Sequence, residues 1–276
     1  MRPRPQAAIA FESVATSVRP IITLTTDFGT RDPYAAAMKG VCLKLCSDAN
    51  LIDLTHEIAH HDVLEGALFL GACAGEFPAG TIHCAVIDPG VGTDRQPIVA
   101  QSGGQVIVCP DNGLLTRLHQ RFGLDGVWRI EHEDCFAESV SHTFHGRDVF
   151  AVTSARLANG MSIDDVGSPI TEPELFAIAK PRIGPGNTIL GEVIHVDRFG
   201  NLITNIDDDQ LGTIDVNRLR IGDLSLDHVS HTYGDVNRGE PLALVGGSGL
   251  LEIAINCGSA SVQFGLGRNE RIRISA

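Results

Sequence analysis

The feature that most constrains the fold is a change of pattern near residue 181. Before it, short apolar runs such as Ile21–Thr26 and residues 82–87 alternate with segments whose apolar residues recur at helical spacing. Such alternation predicts an α/β domain with a mixed, largely parallel sheet that is covered on both faces. After Pro181 the apolar runs are short and separated by turns, and no convincing helix is found. This second pattern predicts an all-β small barrel or sandwich.

The same change of pattern sets the domain boundaries. We expect an N-terminal extension at residues 1–19, an α/β domain at 20–182 and a β-barrel domain at 188–276, with a Gly- and Pro-rich linker at 183–187 between them. Two domains also agree with a length of 276 residues, at about 150 residues per domain. Because the apolar run of the extension, AAIA, is short, we do not expect a signal peptide.

Charge and cysteine content limit the partners and the compartment. The chain has 21 Lys and Arg residues against 34 Asp and Glu residues, a formal net charge of −13. We therefore expect no nucleic-acid partner and no anionic membrane partner, whereas a cationic ligand would fit. No apolar run approaches the ~18 residues of a membrane span. Seven cysteines without the spacing of a disulfide framework indicate free thiols in a reducing cytoplasm.

Polar residues with catalytic or binding chemistry follow the predicted strands, and ligands of open α/β sheets bind beyond the carboxyl ends of strands. Asp27 directly follows the first strand, and Asp32 lies five residues later, across a glycine turn. Such a pair of carboxylates can bind ribose hydroxyls or an ammonium group. The alternative is that Asp27 caps the next helix or closes an Asx-turn.

A second set of residues suggests proton handling. Asp88 ends the apolar run IHCAVI, Arg95 lies seven residues later, and His145 lies in the segment FHGRD, which we interpret as a strand-to-helix turn. If the three converge in one cleft, they form an acid–base constellation. The alternative for Asp88 and Arg95 is a surface ion pair on a Gly-rich turn. A phosphate-binding loop is disfavoured because neither GxGxxG nor a following lysine is present.

A histidine-rich segment at residues 56–62, HEIAHHD, raises the possibility of a metal site. It lacks HExxH spacing, and His60 and His61 precede a helix where neighbouring side chains diverge. We therefore expect no bound metal, and favour a solvated loop or a stacking role for His61.

Two loops of the second domain carry binding chemistry. Phe199 and Asn201 flank Gly200, so that an aromatic ring could stack on a purine while the amide pairs with its edge. The alternative is an ordinary hairpin turn. The loop GGSG at residues 246–249 can offer backbone N–H groups to a carboxylate.

Six motifs follow one another between about residue 20 and residue 275: TTDFGTRD, IDPGVGTDR, PDNGLL, TFHGRD, DRFGNLITN and GSGLLEIAINCGSA. Together they resemble the S-adenosyl-L-methionine (SAM) hydroxide adenosyltransferase family, whose sister enzymes are the fluorinase and the chlorinase. The resemblance implies hydrolysis of SAM to adenosine and methionine without a cofactor. It also implies an α/β domain followed by a β-barrel, and a homotrimer with active sites at subunit interfaces.

The resemblance also implies roles for individual residues. The catalytic triad would be Asp88, Arg95 and His145. The implied substrate-binding residues are Asp27 for the ribose, Asp32 and Asp197 for the methionine amino group, Phe199 and Asn201 for the adenine, Ser248 for the methionine carboxylate, and Phe144. His61 stands where relatives often have an aromatic residue.

The chemistry of SAM fits these residues. Its sulfonium is cationic, and methionine leaves as a neutral thioether that needs no general acid. Asp88 and His145 could accept a hydrogen bond from the attacking water while Arg95 orients Asp88. Three alternatives remain open: halide-dependent adenosyl transfer, a non-catalytic adenosine- or SAM-binding protein, and a metal-dependent hydrolase. Halide transfer is disfavoured because those relatives carry Tyr where this chain has Asp88, whose carboxylate would repel a halide.

Overall fold

The computed structural model describes residues 19–214 and 216–276, so the predicted extension lies, apart from Arg19, outside the described residues. The chain divides into two compact units, the first ending at Leu175 and the second spanning Phe176–Ala276. Each unit is described by itself.

The strands of the first unit are Ile21–Thr26 (β1), Asn50–Thr55 (β2), Ile82–Val86 (β3), Pro97–Ser102 (β4), Gln105–Pro110 (β5) and Gly126–Arg129 (β6). Its α-helices are Tyr34–Leu45 (α1), Val63–Cys73 (α2), Thr116–Phe122 (α3) and Ala151–Ala158 (α4). A π-helix at Gly146–Phe150 runs directly into α4. Asp62 caps α2, because its side chain accepts from the backbone N–H of Glu65 at 2.9 Å.

These strands form one sheet in the order β2-β1-β3-β5-β4-β6. The pairs β1–β2, β1–β3 and β3–β5 are parallel, whereas β4 is antiparallel to both neighbours. The prediction of a mixed, largely parallel sheet is confirmed. Ile22 and Leu24 pack with α1 and α4 on one face, while Ile87 and Ile98 pack with α2 and α3 on the other. Burial on both faces explains the nearly continuous apolar runs.

The connections create a switch point beside β1. The crossover through α1 places β2 on one side of β1, and the crossover through α2 places β3 on the other side. Ligands of open α/β sheets bind at such a point, outside the carboxyl ends of the strands. The loops that follow β1 and β3 are therefore the expected place for a site.

The strands of the second unit are Arg182–Gly184 (β7), Thr188–Val196 (β8), Leu202–Asp207 (β9), Arg218–Ile221 (β10), Leu224–Leu226 (β11), Pro241–Val245 (β12), Leu250–Ile255 (β13) and Arg271–Ser275 (β14). They pair antiparallel in the order β11-β10-β14-β8-β9-β13-β12, and β7 pairs with β8. The backbone N–H of Ser230, just beyond β11, donates to the carbonyl of Ala243 on β12 at 2.7 Å. This contact nearly closes the sheet and confirms the predicted barrel.

Two details of the second unit differ from the predictions. The stretch interpreted as a linker contributes part of β7. Two short helices, Asp208–Leu211 (α5) and Ala260–Phe264 (α6), occur where none was predicted. Each begins with a side-chain cap, from Asp207 and from Ser259. Helices of four and five residues are too short to show a 3.6-residue apolar period, which is why the pattern missed them.

Among the described residues, no helix has the length and apolar character needed to cross a membrane. All seven cysteines are described, and each is a free thiol. Burial raises the pKa of most of these thiols, for example that of Cys42 to about 12.

Candidate active site

Two carboxylates follow neighbouring strands at the switch point of the first unit. Asp27 directly follows β1, and Asp88 lies two residues beyond β3. Because β1 and β3 are parallel neighbours, their carboxyl ends lie at the same edge of the sheet. The strand pairing alone therefore places both loops on the side where ligands bind.

Asp88 and Arg95 form a nearly buried, two-pronged ion pair. Arg95 Nε lies 2.8 Å from Asp88 Oδ1, and Arg95 Nη2 donates to Asp88 Oδ2. The two side chains are only 5% and 9% exposed, so the pair is not the surface ion pair considered as the alternative. The guanidinium of Arg95 also lies 5.1 Å from the centre of the Phe150 ring, which fixes its plane. The carboxylate is thus held in one orientation.

His145 completes the cluster through the same guanidinium. Arg95 Nη2 lies 2.9 Å from His145 Nδ1. A guanidinium has only donors, so Nδ1 accepts, and the imidazole is neutral with its proton on Nε2. Burial and the charge of Arg95 both lower the pKa of His145 below its ordinary value, which favours the same neutral form. In this arrangement the acceptor nitrogen of His145 binds Arg95, and the role of His145 toward the attacking water stays a prediction.

The local structure around His145 differs from the predicted strand-to-helix turn. Between β6 and His145 the described chain contains a short 3₁₀ turn, Glu133–Cys135, and no strand. His145 instead directly precedes the π-helix. π-Helices are rare in proteins, and those that occur are often found at functional sites. The loop before it is tied down by Asp148, whose carboxylate accepts from Ser141 N–H at 2.8 Å and from Arg147 Nε at 2.6 Å.

The loop that carries Asp88 and Arg95 is supported from two sides. Asn112, in the motif PDNGLL, donates from Nδ2 to the carbonyl of Ile87 at 2.9 Å and so holds the backbone just before Asp88. Gly92 has φ 78°, and a Cβ there would lie 2.5 Å from the carbonyl oxygen of His142. Only glycine allows this close approach between the two loops of the cluster.

Asp88 and His145 line a cavity of about 370 Å³ in the first unit. Its apolar wall is a triangle of rings, Phe28, Tyr34 and Phe144, with centroids 5.3 to 6.1 Å apart in edge-to-face contacts. The volume is within the range of small-molecule sites. A charged cluster beside an aromatic wall can hold a ligand that is polar at one end and apolar at the other.

Asp27 and Asp32 are not among the residues that line this cavity. Asp27 is buried, and its Oδ2 accepts from the backbone N–H of His61 at 2.9 Å. Its carboxylate therefore anchors the loop before α2 rather than the helix that follows β1. Asp32 is exposed in the loop before α1. Their roles in substrate binding stay predictions.

The histidine-rich segment is held by contacts within the protein. His56 is buried, with Nδ1 2.8 Å from Thr26 Oγ1 and Nε2 3.0 Å from Asp53 Oδ1. His60 Nδ1 lies 3.1 Å from the carbonyl oxygen of Asp27, and the side chain of His61 is 74% exposed. Within residues 19–214 and 216–276, no three His, Cys, Asp or Glu side chains form a group that could hold a metal ion.

In the second unit, three predicted residues share the turn between β8 and β9. Asp197 accepts from the backbone N–H groups of Phe199 and Asn201 at 2.9 and 2.8 Å, and from Asn201 Nδ2 at 2.9 Å. This network shapes the turn, and it leaves the Phe199 ring 76% exposed at the tip. Gly200 has φ 83°, and a Cβ there would lie 1.9 Å from Ser259 Oγ. The closing motif that contains Ser259 therefore packs directly against this turn.

Ser248 lies in the tight turn between β12 and β13. The turn is shaped by backbone contacts from Gly246 N–H to Leu250 and from Gly249 N–H to Gly246, each 2.9 Å long. Leu250 starts β13, while Ile253 of the same strand pairs with Leu202, the residue after the Phe199 turn. At about 3.3 Å per residue, the two turns meet β13 roughly 10 Å apart.

Sequence profiles of the SAM hydroxide adenosyltransferase N-terminal and C-terminal domains match residues 22–167 and 191–273. This chain belongs to that family. It is 37% identical over 261 residues to the (R)-S-adenosyl-L-methionine hydrolase of Salinispora tropica, covering 93% of this chain and 98% of the relative. The fluorinase of Actinopolyspora mzabensis is 26% identical over 93% of this chain and 97% of its own.

A crystal structure of an uncharacterized conserved protein from Thermotoga maritima has the same fold. Its TM-score is 0.86 at 34% identity, with 92% of this chain and 100% of that chain covered. The likeness extends over both units, in agreement with the order of the motifs along this chain.

Sequence reasoning missed several side chains near the predicted sites of this family member. Phe28 and Tyr34 complete the aromatic wall, and neither was predicted as a site residue. In the second unit, Tyr233 Oη donates to the buried Glu252 at 2.9 Å. Burial raises the pKa of both groups, that of Tyr233 to about 12. A Cβ on Gly246 would lie 1.7 Å from Glu252 Oε1, so this carboxyl group packs against the Ser248 turn.

A local signal existed for only some of these residues. Glu252 is a charged residue within the apolar run LLEIAI, which marks a buried polar group that needs a partner. Nothing in the sequence near Tyr233 indicates that it is the partner, since the two lie 19 residues apart.

Proposed function

We propose that this chain hydrolyses S-adenosyl-L-methionine to adenosine and L-methionine by attack of water at the ribose C5′. The observation that carries the proposal is the Asp88–Arg95–His145 cluster, which is preformed beside a cavity at the switch point of the sheet. The relatives named (R)-S-adenosyl-L-methionine hydrolase, at 34–40% identity, support the same reaction.

In this proposal each member of the cluster has a different task. His145 carries its proton on Nε2 and donates to the oxygen of the attacking water. Each oxygen of Asp88 binds a donor of Arg95 and retains a lone pair, so Asp88 accepts a proton of that water. Arg95 holds both groups in place and stabilises the negative charge that develops on the nucleophile.

The bond changes balance without a further reactant. The water oxygen forms a bond to C5′ as the C5′–S bond breaks, and the electron pair of that bond stays on sulfur. The sulfonium becomes a neutral thioether, which needs no proton to leave. The proton lost by the water passes to Asp88 and then to solvent, and no cofactor takes part.

Residues of the second unit bind the rest of the substrate in this proposal. Phe199 stacks on the adenine, and Asn201 uses its remaining donor and acceptor capacity on the base edge. Ser248 and its turn receive the methionine carboxylate. The separation of roughly 10 Å between the two turns along β13 suits a ligand with an adenine at one end and an amino acid at the other.

The oligomeric state and the cellular compartment are also part of the proposal. We expect a homotrimer in which residues of two subunits complete each active site, working in a reducing cytoplasm where free thiols persist. Light scattering gives the mass, and a fully active monomer would contradict the shared site.

A specific observation separates hydrolysis from halide transfer, the second candidate. Asp88 places a nearly buried carboxylate beside the cavity, and a halide would have to approach this negative charge. Halide transfer by this chain is therefore disfavoured, although fluorinases are related to it.

The reaction is tested by incubating the protein with SAM in ¹⁸O-labelled water and analysing the products by mass spectrometry. The expected result is one label in the adenosine 5′-hydroxyl and none in methionine. A parallel incubation with chloride should yield no chlorinated nucleoside. Unlabelled adenosine, or binding of SAM without turnover, would contradict the proposal.

A further inference from the structure

The basic residues of the second unit are concentrated on one face of its sheet. Residues that pair directly across strands point to the same side, and one such row runs from Arg182 on β7 through Leu190 and Arg273 to Arg220 on β10. Arg271, two residues before Arg273, belongs to the same face. The buried neighbours Ile272 and Ile274 point the other way, into the barrel.

This arrangement is electrostatically unfavourable as it stands. Arg220 and Arg273 are direct cross-strand partners, and like charges directly opposite one another destabilise a sheet. Within residues 19–214 and 216–276, no carboxylate lies within ion-pair distance of Arg182, Arg220 or Arg273. In a chain with a net charge of −13, a row of arginines without acidic partners indicates a place that receives an anion.

The same face contains a cavity of about 400 Å³. Four cationic side chains line it, and a single carboxylate, that of Glu192, is opposite Arg271 in the strand pairing. The cationic side chains are those of Lys180, Arg182, Arg271 and Arg273. The floor includes Leu190, which is 43% exposed, and Asn205, whose amide bridges Glu192 N–H at 2.9 Å and the carbonyl of Ala179 at 2.6 Å. The cavity is therefore a structured concave surface with a net positive charge.

We propose that this cavity binds a small anion with several negative charges, of the phosphate-ester or polyphosphate class. Guanidinium groups match phosphate oxygens with paired hydrogen bonds, and arginines on β7 and β14, the two strands that flank β8, can bind different phosphates of one ligand. The volume fits a ligand of nucleotide size or smaller. An extended nucleic acid is disfavoured because most of its phosphates would lie outside the cavity, against a chain whose net charge is −13. This site is independent of the hydrolysis proposed above, and it uses none of the residues assigned to that reaction.

The test measures binding of inorganic triphosphate to the full-length protein by isothermal titration calorimetry. Two variants, Arg182→Gln and Arg273→Gln, each remove one charge from the cavity, and Arg238→Gln removes an exposed charge from the turn before β12 as the matched control. We expect each cavity variant to weaken binding by about tenfold or more, as for the loss of a charge-assisted contact, and the control to leave it unchanged. Triphosphate should also raise the melting temperature of the parent, and less so that of the cavity variants.

Several outcomes would overturn the proposal. They are absence of triphosphate binding to the parent, equal weakening by Arg238→Gln, and unchanged binding in both cavity variants. If triphosphate does not bind and the cavity variants change the mass measured by light scattering, the face is a contact between copies of the chain. SAM hydrolysis measured on the same samples keeps this result separate from the proposed function, since the cavity variants should retain it.

Discussion

The candidate site residues of the two units differ in their burial and in the contacts that hold them. In the first unit, Arg95 contacts both Asp88 and His145, and the Asp88–Arg95 pair is nearly buried, so the charges of the pair and the tautomer of His145 are set before a ligand arrives. In the second unit, Asp197 and Asn201 make their hydrogen bonds within their own turn, and the Phe199 ring at the tip of that turn is exposed. The first arrangement suits chemistry, which depends on fixed electrostatics, and the second suits binding of a flat apolar group.

Asp88→Asn should give the largest effect, because it removes the charge and the proton acceptor while keeping the shape. We expect the single-turnover rate to fall by about 10²–10⁴-fold, the range for losing acid–base assistance, with little change in the equilibrium affinity for SAM. Asp94→Asn, an exposed carboxylate of the same loop, is the matched control and should be close to the parent. If Asp88→Asn turns over normally, Asp88 is not the proton acceptor and the proposed catalytic triad is wrong.

Asp27→Ala tests whether the buried carboxylate of Asp27 stabilises the fold of the first unit. It removes the charged acceptor of the His61 N–H, and we expect a loss of about 1.5–3 kcal/mol in the free energy of unfolding, measured with urea. Asp32→Ala, at an exposed position, should leave stability unchanged.

The ribose role of Asp27 is tested with a 2′-deoxy analogue of adenosine. If Asp27 binds the ribose hydroxyls, the analogue binds the parent poorly and loses little more in Asp27→Ala. Equal losses for adenosine and its analogue would leave Asp27 with the structural role alone.

Phe199→Ala tests whether the second unit contributes binding without chemistry. Loss of one aromatic stack on a base should weaken adenosine binding by about 1–3 kcal/mol, measured by calorimetry. The single-turnover rate at saturating SAM should change much less. Val262→Ala truncates another highly exposed apolar side chain of the same unit and serves as the control. Unchanged adenosine affinity in Phe199→Ala would show that Phe199 is only part of the turn and does not bind the base.

The smallest expected effect is a pH dependence set by His145. Its pKa lies below the ordinary value of 6.5, so the ring is neutral at neutral pH and becomes protonated only at lower pH. Protonation turns Nδ1 into a donor that faces Arg95, so the cluster is disrupted on the acidic side. Single-turnover rates should be constant through neutral pH and fall only on the acidic side, with a midpoint below pH 6.5. A fall on the alkaline side instead would show that a protonated His145 is the active form.

Much of the architecture was predictable from local sequence. β1 and β3 were visible as β-branched or apolar runs, and the polar residues after them, Asp27 and Asp88, were visible as the ends of those runs. The barrel was predictable because its strands are short and separated by turns. The strands β10 and β11 are harder to predict individually, since strands of four and three residues have little period to detect.

The sequence by itself determined the order of strands and helices, the apolar faces that form the cores, and the residue types at the ends of the strands, because these depend on periodicity and on neighbours along the chain. Only the tertiary structure decided which atoms meet. Arg95 and His145 lie 50 residues apart, and their contact, which sets the tautomer of the imidazole, exists only once the loops after β3 and before the π-helix converge. The row of Arg182, Arg273 and Arg220 likewise depends on strand register, which brings together residues that are distant in the chain.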